Sequence, residues 1–284
     1  MLISEIIAKV KQYHQPYQER ENTRDKVLAG NPDQECTGIV VTVCATYEVL
    51  EKAKALGCNL IISHESIFFG GRIPKKDIEN NEVYLAKEKY INDNNLCIWR
   101  DHDHMHNSGG FFGGKYILRK QNDFIFWGIM KELGWQEYIL DDPMKPTLYK
   151  IPETTAKELA QCLMKKFNLN GLRVVGNPEA KVSKVFFTEH VNGNEKDAEI
   201  ITKATEFDAM IPLEICDYTL TQYVRDAGYL GKDKVILEMG HFNCEEIGMK
   251  YMKEWLPKAL GTEDIDIHYV QAGDTFTYLL NEQE

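Results

Sequence analysis

The feature that most constrains the fold is an alternation of apolar, strand-like runs with helical segments. In the first half, "TGIVVTVCA", "NLIIS" and "LCIW" are short continuous runs rich in β-branched residues. The segments between them, such as "TYEVLEKAKALG", carry apolar residues at helical spacing. Continuous apolar runs of this length are typical of parallel strands that are covered on both faces. The alternation therefore predicts βαβ units and a mostly parallel sheet.

The second half repeats this alternation. "LRVVG", "KVFFTE", "AMIPLE" and "KVILEM" are predicted strands, and "TTAKELAQCLMKKFN" is a predicted helix with a capping box between Thr155 and Glu158. "EEIGMKYMKEWLPKAL" is another predicted helix, and "IDIHYVQAG" is a closing strand. We therefore predict an α/β fold made of two similar α/β domains with mixed, mostly parallel sheets. The predicted domains are residues 1–140 and residues 141–284, and the closing strand falls in the second.

Charge and composition exclude several classes of protein. The formal net charge of −11, with no long basic stripe, argues against nucleic-acid binding. The seven cysteines are scattered singly without a C-x-x-C pair, which predicts reduced thiols rather than a disulfide scaffold. No apolar run approaches the roughly 20 residues that span a bilayer, and the N-terminus reads as an amphipathic helix rather than a signal peptide. We expect a cytoplasmic protein without a membrane or nucleic-acid partner.

Histidines and carboxylates gather where predicted strands end. His64 and Glu65 follow "NLIIS", the segment 101–106 ("DHDHMH") follows "LCIWR", and His241 follows "KVILEMG". Five of the eight histidines thus stand at the carboxyl end of a strand, which is where parallel α/β sheets bind ligands. Glu245 follows His241 by four residues, so both lie on one face of the predicted helix. The pattern predicts a metal site.

The donor types narrow the choice of metal. Imidazole and carboxylate donors without thiolate suit Zn, Mn, Fe, Ni or Co better than Mg, Ca or a cysteine-type structural zinc site. More than four donors from three segments are enough for two divalent ions. The candidate ligands are His64, Glu65, His102, His104, His106, His241 and Glu245. Which of the three loop histidines binds stays open, and Asp101 and Asp103 are candidates for a general base or for groups that position a ligand.

Each of these motifs also has a simpler interpretation. "DHDHMH" alone is compatible with an exposed polar loop, and a histidine and a glutamate four residues apart are compatible with a solvated helix face. His14 and His268 are interpreted as structural residues. His190, which also follows a strand, is interpreted as structural, with a place in the lining of the cleft as the alternative. Glu214 and Asp217, which follow another strand, are weaker candidates for groups that face the site or a substrate. The combination of three strand ends favours the metal site.

With these residues in view, the chain resembles the NGG-interacting-factor-three-like family, also called the dinuclear-metal-centre hexamer family and often named GTP cyclohydrolase I type 2 homologue. The resemblance runs from about residue 23 to residue 119 and includes "GCNLIISHESIFFGG". It returns at "KVILEMGHFNCEEIGMKYMKEWL" and at "AGDTFTYL", and it is loose over residues 150–215. His241 and Glu245 match the family's closing G-H-x-x-x-E motif.

The other family ligands fall on substituted positions. His64 matches the first histidine of the family's pair, and Glu65 stands where the second is usually found. His102 aligns with the histidine of the family's A-H-T-x-x-D segment. The aspartate of that segment falls on His106, or on His104 with a gap. The resemblance implies a two-metal site with altered ligands, in the cleft between two domains, and a homohexamer with the metals facing an internal cavity.

A two-metal site predicts metal-assisted hydrolysis, in which the ions acidify a water molecule and stabilise the attacking and leaving oxygens. The family's naming points to a phosphorylated or nucleotide-like small molecule, while the motifs themselves specify no substrate. One alternative is a non-catalytic metal-binding or regulatory scaffold that binds a partner. Another is a metal-free, ligand-binding α/β protein whose histidines are incidental.

Overall fold

The computed structural model describes residues 1–15, 21–69, 75–106, 110–112, 115–117 and 121–280 of the 284-residue chain. By their internal contacts the residues divide into two compact units. Unit 1 comprises Met1–Gly128 and Gly248–Ala272, and unit 2 comprises Ile129–Ile247 and Gly273–Glu284. Each unit is described by itself below.

The predicted strands and helices are present, except that "EEIGMKYMKEWLPKAL" belongs to two helices rather than one. The helices are α1 Ile3–Tyr13, α2 Tyr47–Ala55, α3 Lys75–Ile78, α4 Glu82–Asp93, α5 Asp103–His106, α6 Phe124–Leu133, α7 Ala156–Phe167, α8 Glu195–Thr202, α9 Leu220–Tyr229, α10 His241–Lys250 and α11 Met252–Leu260. The strands are β1 Val27–Ala29, β2 Ile39–Thr42, β3 Leu60–Ser63, β4 Cys97–Arg100, β5 Gly110–Phe112, β6 Lys115–Ile117, β7 Leu148–Thr155, β8 Arg173–Val175, β9 Lys181–Phe187, β10 Ala209–Ile211, β11 Val235–Glu238 and β12 Ile267–Tyr269. None of the helices described has both the length and the apolar character needed to cross a membrane.

Unit 1 is built on a five-stranded sheet in the order β1-β4-β3-β2-β12. β4, β3, β2 and β12 are parallel neighbours, and β1 pairs with β4 in the antiparallel direction. Every residue of β2, β3 and β4 is buried, as expected of strands that are covered on both faces. A separate antiparallel pair is formed by β5 and β6.

Local signals set the helix that crosses from β2 to β3. The hydroxyl of Thr46 accepts a hydrogen bond from the Val49 amide at 3.3 Å and caps α2, as the sequence predicts. Gly57, with φ of 74°, reverses the chain after the helix, a conformation that favours glycine. Apolar side chains of α2, α4 and the sheet then form one buried cluster, which includes Val40, Val49, Leu50, Ala53, Ile61, Ile91 and Ile98.

Unit 2 is built on a five-stranded sheet in the order β7-β9-β10-β11-β8. The three central strands β9, β10 and β11 are parallel, and β7 and β8 are antiparallel edge strands. The predicted capping box is present at the start of α7, where the Thr155 hydroxyl accepts from the Glu158 amide and the Glu158 carboxylate accepts from the Thr155 amide. The predicted fold class, two α/β units with mixed, mostly parallel sheets, is confirmed.

The closing strand lies elsewhere than the sequence suggests. We expected "IDIHYVQAG" within the second domain, yet β12 pairs with β2 in the sheet of unit 1. The chain therefore divides near Gly128 and Ile247 rather than at 140/141 alone. A single boundary cannot describe this, because the last strand of the unit 1 sheet comes from the C-terminal end of the chain. His241 and Glu245 belong to unit 2, and His64, Glu65 and residues 101–106 belong to unit 1.

Candidate metal centre

The sheet of unit 1 brings the first two histidine segments together. β3 and β4 are adjacent and parallel, with Ser63 opposite Arg100, so His64 and Asp101 leave the sheet at the same edge. The Nδ1 atom of His64 donates to the backbone carbonyl of Asp101 at 3.1 Å. Because a carbonyl only accepts, Nδ1 carries the proton and Nε2 is the nitrogen that would bind a metal ion.

His106 is oriented in a similar way by a carboxylate. Its Nδ1 lies 3.2 Å from Oδ2 of Asp123, a fully buried residue. The other oxygen of Asp123 accepts the amide hydrogens of Ile125 and Phe126 and so caps α6. This carboxylate–imidazole contact assigns the proton to Nδ1 and Nε2 to a metal ion. Sequence reasoning did not select Asp123.

Three imidazoles face one another in this cluster. The rings of His64 and His102 are stacked with centroids 4.4 Å apart, and the ring of His106 lies 5.0 Å and 4.8 Å from them. One nitrogen of each ring lies within 4.8 Å of the others. His64, His102 and His106 are therefore candidate ligands of one ion, and their nitrogen donors fit the metals that the sequence suggests.

Contacts of His102 distinguish it from the other two. Its Nδ1 lies 3.1 Å from Oδ1 of Asp103, and its Nε2 lies 3.1 Å from Nη1 of Arg24. Burial, followed by the charge of His64, lowers the pKa of His102, so its ring is neutral and Nε2 accepts from the guanidinium. Both nitrogens are thus engaged. In this geometry His64 and His106 are the better oriented donors.

Asp103 is held as an anion. Its carboxylate accepts hydrogen bonds from the Arg24 amide and Nε at 3.0 Å and 2.8 Å, and from the Thr23 hydroxyl at 3.2 Å. Burial opposes ionisation, but the contacts with His102 and Arg24 keep the pKa of Asp103 well below its ordinary value. An acid held by this many donors is a weak general base, and the contacts favour a role in positioning His102.

Glu65 also stays ionised. Its Oε2 accepts from Nη2 of Arg100 at 2.6 Å, and its Oε1 lies 3.6 Å from Nε2 of His102. Burial opposes ionisation here too, but the imidazoles and Arg100 outweigh it and lower the pKa of Glu65 to about 2. Glu65 is therefore a permanent carboxylate beside the imidazoles at neutral pH.

His104 lies apart from this cluster. It is buried, and its Nδ1 contacts Oδ2 of Asp25 and lies 3.9 Å from Oδ1 of Asp101. Asp25, Asp101 and His104 form a separate group whose ligand atoms lie within 4.8 Å of one another. The carboxylate of Asp101 is fully buried, which leaves it poorly placed as a base for a substrate. Asp25 is a second residue that sequence reasoning missed.

Asp25 fixes the backbone of the histidine segment. Its Oδ1 accepts the amide hydrogens of His102 at 2.6 Å and Asp103 at 2.7 Å, and its Oδ2 accepts that of His104 at 2.9 Å. A single carboxylate thus sets the turn from β4 into α5. No local sequence signal identifies Asp25, because it lies more than 70 residues before the segment that it holds.

In unit 2 the predicted pair at the start of α10 is in contact. His241 is the first residue of α10, and its Nε2 lies 3.0 Å from Oε2 of Glu245. Glu245 is almost fully buried, and His241 is partly exposed. The helix therefore presents both predicted ligands side by side, as their spacing of four residues implies.

Two further residues join His241. Glu214 reaches Nδ1 of His241 with Oε2 at 2.8 Å and Nδ1 of His190 with Oε1 at 2.6 Å. Burial disfavours both charges, but the contacts with carboxylates raise the pKa of His241 to about 10, and the contacts with the histidines lower that of Glu214 to about 2. Glu214 was a weaker candidate from sequence, and His190 had been interpreted as structural.

The rule of strand ends also explains this second cluster. His190, Glu214 and His241 follow β9, β10 and β11, which are consecutive parallel strands of the unit 2 sheet. Their ligand atoms lie within 4.8 Å of one another. The same reasoning that linked His64 to residues 101–106 would have found them, had the order of these strands been known.

A cavity of about 550 Å³ lies in unit 2 beside His190. Its walls combine apolar side chains, among them Leu148, Phe186 and Ile200, with charged ones such as Lys145 and Lys203. Its size and mixed lining are typical of small-molecule sites. The cavity thus adjoins the cluster that contains His241.

Comparison with known proteins agrees with the fold. Residues 1–95 match the model of the Duf34/NIF3 (NGG1p interacting factor 3) family. The structure of Staphylococcus aureus hypothetical protein SA1388 superposes with a TM-score of 0.70 at 15% identity and covers 98% of this chain and 99% of its own. A Bacillus cereus protein related to NIF3 gives the same TM-score, identity and coverage. The resemblance to the NIF3-like family is confirmed.

A relative whose name refers to an enzyme is also similar. GTP cyclohydrolase 1 type 2 homolog from Clostridium acetobutylicum is 24% identical over 245 residues, which cover 82% of this chain and 81% of the relative. The match to the NIF3 family model includes His64 and Glu65 and ends before residues 101–106. The remaining candidate ligands lie outside that match and are supported by their contacts in the structure.

Proposed function

We propose that this chain binds two divalent metal ions and uses them to hydrolyse a phosphorylated or nucleotide-like small molecule. The observation that carries the proposal is the orientation of His64 and His106. In both residues Nδ1 donates a hydrogen bond to an oxygen atom, which leaves the lone pair of Nε2 available to a metal ion. The two rings belong to one group of imidazoles. Metal-binding histidines in proteins are typically oriented by such an acceptor on the second ring nitrogen.

The ligands that we assign come from both units. In unit 1 they are His64 and His106, with Glu65 as the anionic donor. In unit 2 they are His241 and Glu245. His102 is assigned to positioning, because Asp103 and Arg24 engage both of its nitrogens. Imidazole and carboxylate donors suit Zn, Mn, Fe, Ni or Co.

Such ions supply an acidified water molecule and stabilise the charge that develops on the attacking and leaving oxygens. The side chains around them set the protonation states. His102, His64 and Arg100 keep Glu65 ionised. The carboxylates of Glu214 and Glu245 lie beside the two ring nitrogens of His241. The first set of contacts keeps an anionic ligand in place, whereas a cation that binds His241 has to displace a ring proton.

The substrate class rests on two supports. The cavity beside His190 has a size suited to a small molecule, and its wall carries carboxylates as well as lysines, among them Lys145 and Glu189, which form an ion pair. The Clostridium relative carries a name that refers to a nucleotide-ring hydrolase. The expected homohexamer, the cytoplasmic location and a metal site in a cleft between domains remain predictions.

The test is metal analysis of untagged protein together with a hydrolysis screen over phosphoesters and nucleotides. We expect about two exchangeable ions per chain and a turnover that depends on them. His64→Ala and Glu245→Gln should each lose exchangeable metal and turnover. His268→Asn, which alters a histidine on the edge strand β12, is the matched control and should retain both.

Three outcomes would separate the alternatives. Metal lost in the variants together with turnover supports the hydrolase. Metal that is bound and lost as expected, with no turnover across the screen, favours the scaffold that binds a partner. A protein that takes up no exchangeable Zn or Mn contradicts the proposal and leaves the histidines of unit 1 as a hydrogen-bonded polar cluster.

A further inference from the structure

A second polar cluster in unit 1 is sealed from solvent. It consists of His14, Asp25, Asp101 and His104, none of which is more than 2% exposed. His14 lies at the C-terminal end of α1, Asp101 follows β4, and His104 lies in α5. The proposed hydrolytic site uses none of these side chains.

Asp101 is the unexplained member of the cluster. Within the described residues, neither of its carboxylate oxygens accepts a hydrogen bond. The nearest ring nitrogens are Nε2 of His14 at 3.7 Å from Oδ2 and Nδ1 of His104 at 3.9 Å from Oδ1. Both distances exceed hydrogen-bond length. A buried carboxylate without hydrogen bonds is strongly destabilising unless a cation compensates it.

His14 also lacks hydrogen-bond partners within the described residues. Neither of its ring nitrogens makes a hydrogen bond within the described part of the chain. Its ring lies edge-on to Phe124 and Trp255, with centroids 5.4 Å and 5.3 Å away, so its surroundings are largely apolar. The centroid of the His104 ring is 5.6 Å away. Two buried groups, an acceptor and an imidazole, thus face each other across a gap too wide for a hydrogen bond.

The gap is close to that between two ligands of one ion. With metal–ligand bonds of about 2.0–2.2 Å and tetrahedral angles, neighbouring donor atoms lie about 3.4 Å apart. The separations of 3.7 Å and 3.9 Å need only a shift of a few tenths of an ångström to reach this value. Nδ1 of His104 and Oδ2 of Asp25, which are in direct contact, have to move apart to a similar separation. The donor set, imidazole nitrogens and carboxylate oxygens, is one that zinc and similar ions accept.

The charge balance points the same way. The cluster contains two carboxylates, and within the described residues their ion-pair partners are histidines. The negative charge of Asp25 is stabilised by hydrogen bonds from three backbone amides and by its contact with His104. Asp101 accepts no hydrogen bond within the described residues, and only the imidazoles of His14 and His104 form ion-pair contacts with its oxygens there. A divalent cation would neutralise both carboxylates while leaving the two imidazoles as neutral ligands.

We propose that His14, Asp25, Asp101 and His104 hold a buried divalent cation of the zinc type, separate from the exchangeable ions of the proposed hydrolytic site. The ion ties the end of α1 to the segment that follows β4. Because its ligands are sealed, it enters as unit 1 folds and does not exchange with solvent in the native protein. Its role is structural.

The experiment compares metal retained by the native protein with metal retained after unfolding. Wild-type protein is dialysed against EDTA in the folded state, then in denaturant, with metal per chain measured at each stage. We expect one equivalent to resist EDTA in the folded protein and to leave on unfolding. Refolding in the presence of Zn²⁺ or Co²⁺ should restore this equivalent. If the protein is first refolded without metal, adding either ion afterwards should not restore it.

Two variants test whether the EDTA-resistant ion is bound by the buried cluster of His14, Asp25, Asp101 and His104. His14→Phe and Asp101→Asn preserve volume and remove a ligand, so each should lack the EDTA-resistant equivalent. His241→Ala, in unit 2, should lose exchangeable metal and keep the resistant equivalent. His268→Asn should keep both. A wild-type protein that holds the resistant equivalent but takes up no exchangeable metal would count against the proposed function and leave this inference intact.

Two results would overturn the inference. One is a wild-type protein that holds no EDTA-resistant metal even after refolding with Zn²⁺ or Co²⁺, a result that requires no variant to fold. The other is resistant metal in both His14→Phe and Asp101→Asn at the wild-type level. In either case the cluster compensates Asp101 with a proton on an imidazole, and no ion is bound there.

Discussion

The imidazole clusters of the two units orient their histidines by different means. In unit 1, a backbone carbonyl holds His64 and a capping carboxylate holds His106, so each acceptor also has a structural task. In unit 2, His241 lies between the carboxylates of Glu214 and Glu245, with one at each ring nitrogen. The first arrangement fixes a tautomer, whereas the second favours an added proton.

This difference determines whether an imidazole of each cluster is neutral or protonated when a metal ion binds. Burial, followed by the neighbouring His64, lowers the pKa of His102, so the ring that accepts from Arg24 in unit 1 is neutral at pH 7. The two carboxylates raise the pKa of His241 to about 10, so in metal-free protein this ring is protonated at pH 7. A metal ion must therefore displace a proton in unit 2, and its affinity there should rise with pH.

The largest expected effect comes from Asp25→Ala in unit 1. The change removes the acceptor of three buried amides and the partner of His104, which should cost about 3–5 kcal/mol of unfolding free energy. Urea unfolding measures the loss. Hydrogen exchange should show lost protection at residues 101–106 and unchanged protection in β11 and the start of α10, because the clusters are oriented independently.

Asp33→Ala, which removes an exposed carboxylate in the same unit, is the matched control and should change stability by less than about 0.5 kcal/mol. Equal loss of protection in β11 and in residues 101–106 would contradict the independence of the two clusters.

A second prediction separates the two tasks of Asp123. In Asp123→Asn the remaining oxygen still caps α6, but the amide group presents a donor to Nδ1 of His106 and reverses its tautomer. We expect a stability loss below about 1 kcal/mol and a fall in metal affinity of about 10–100-fold. Asp123→Ala, which removes the cap as well, should lose about 1–2 kcal/mol.

Competition with a fluorescent chelator measures the metal affinity of both variants. If Asp123→Asn binds metal as tightly as the wild type, Asp123 serves only to cap α6 and its contact with His106 does not orient a metal ligand.

The sequence predicts the strands, the helices and most of the candidate ligands, but not the residues that orient them. Short-range signals suffice for Thr46 and the Thr155–Glu158 box, because cap and helix are neighbours in the chain. Asp25 and Asp123 act on histidines through contacts that only the folded chain creates. His104 shows the same limit, since its position in "DHDHMH" does not reveal that it faces Asp25 while His106 faces Asp123.

A third, smaller effect tests the added proton in unit 2. The pKa of His241 rises from its ordinary 6.5 to about 10, so its contribution to stability is complete below pH 6.5 and disappears as pH rises through 10. The pKa of Glu214 falls from 4.5 to about 2, so its contribution is complete above pH 4.5 and is lost as pH falls through 2. The pair therefore stabilises metal-free protein most between these two ordinary values.

Glu214→Gln removes the charge of that pair. Both side chains are partly exposed, so solvent screening limits the loss to about 1 kcal/mol near pH 5.5, and the difference from wild type should shrink towards pH 10. Urea unfolding across pH 5–10, in the presence of EDTA, measures it. A difference that is constant over this range would mean that His241 is not protonated and that the two units do not differ in this respect.

The smallest effect decides between local orientation and overall charge as the cause of metal binding. Glu48 and Lys52 form an exposed ion pair on α2 at 2.7 Å, and the chain has a formal net charge of −11. Lys52→Gln makes the chain more negative and Glu48→Gln makes it less negative, while each breaks the same pair at a cost of about 0.3–0.5 kcal/mol. If imidazoles that are oriented by hydrogen bonds bind the ions, both variants should match the wild type in metal affinity. Exposed charges are screened over about 8 Å at physiological salt and should have little influence on it. Opposite shifts of affinity in the two variants would assign the binding to the negative field of the whole protein, and the contrast between the two clusters would then explain little of it.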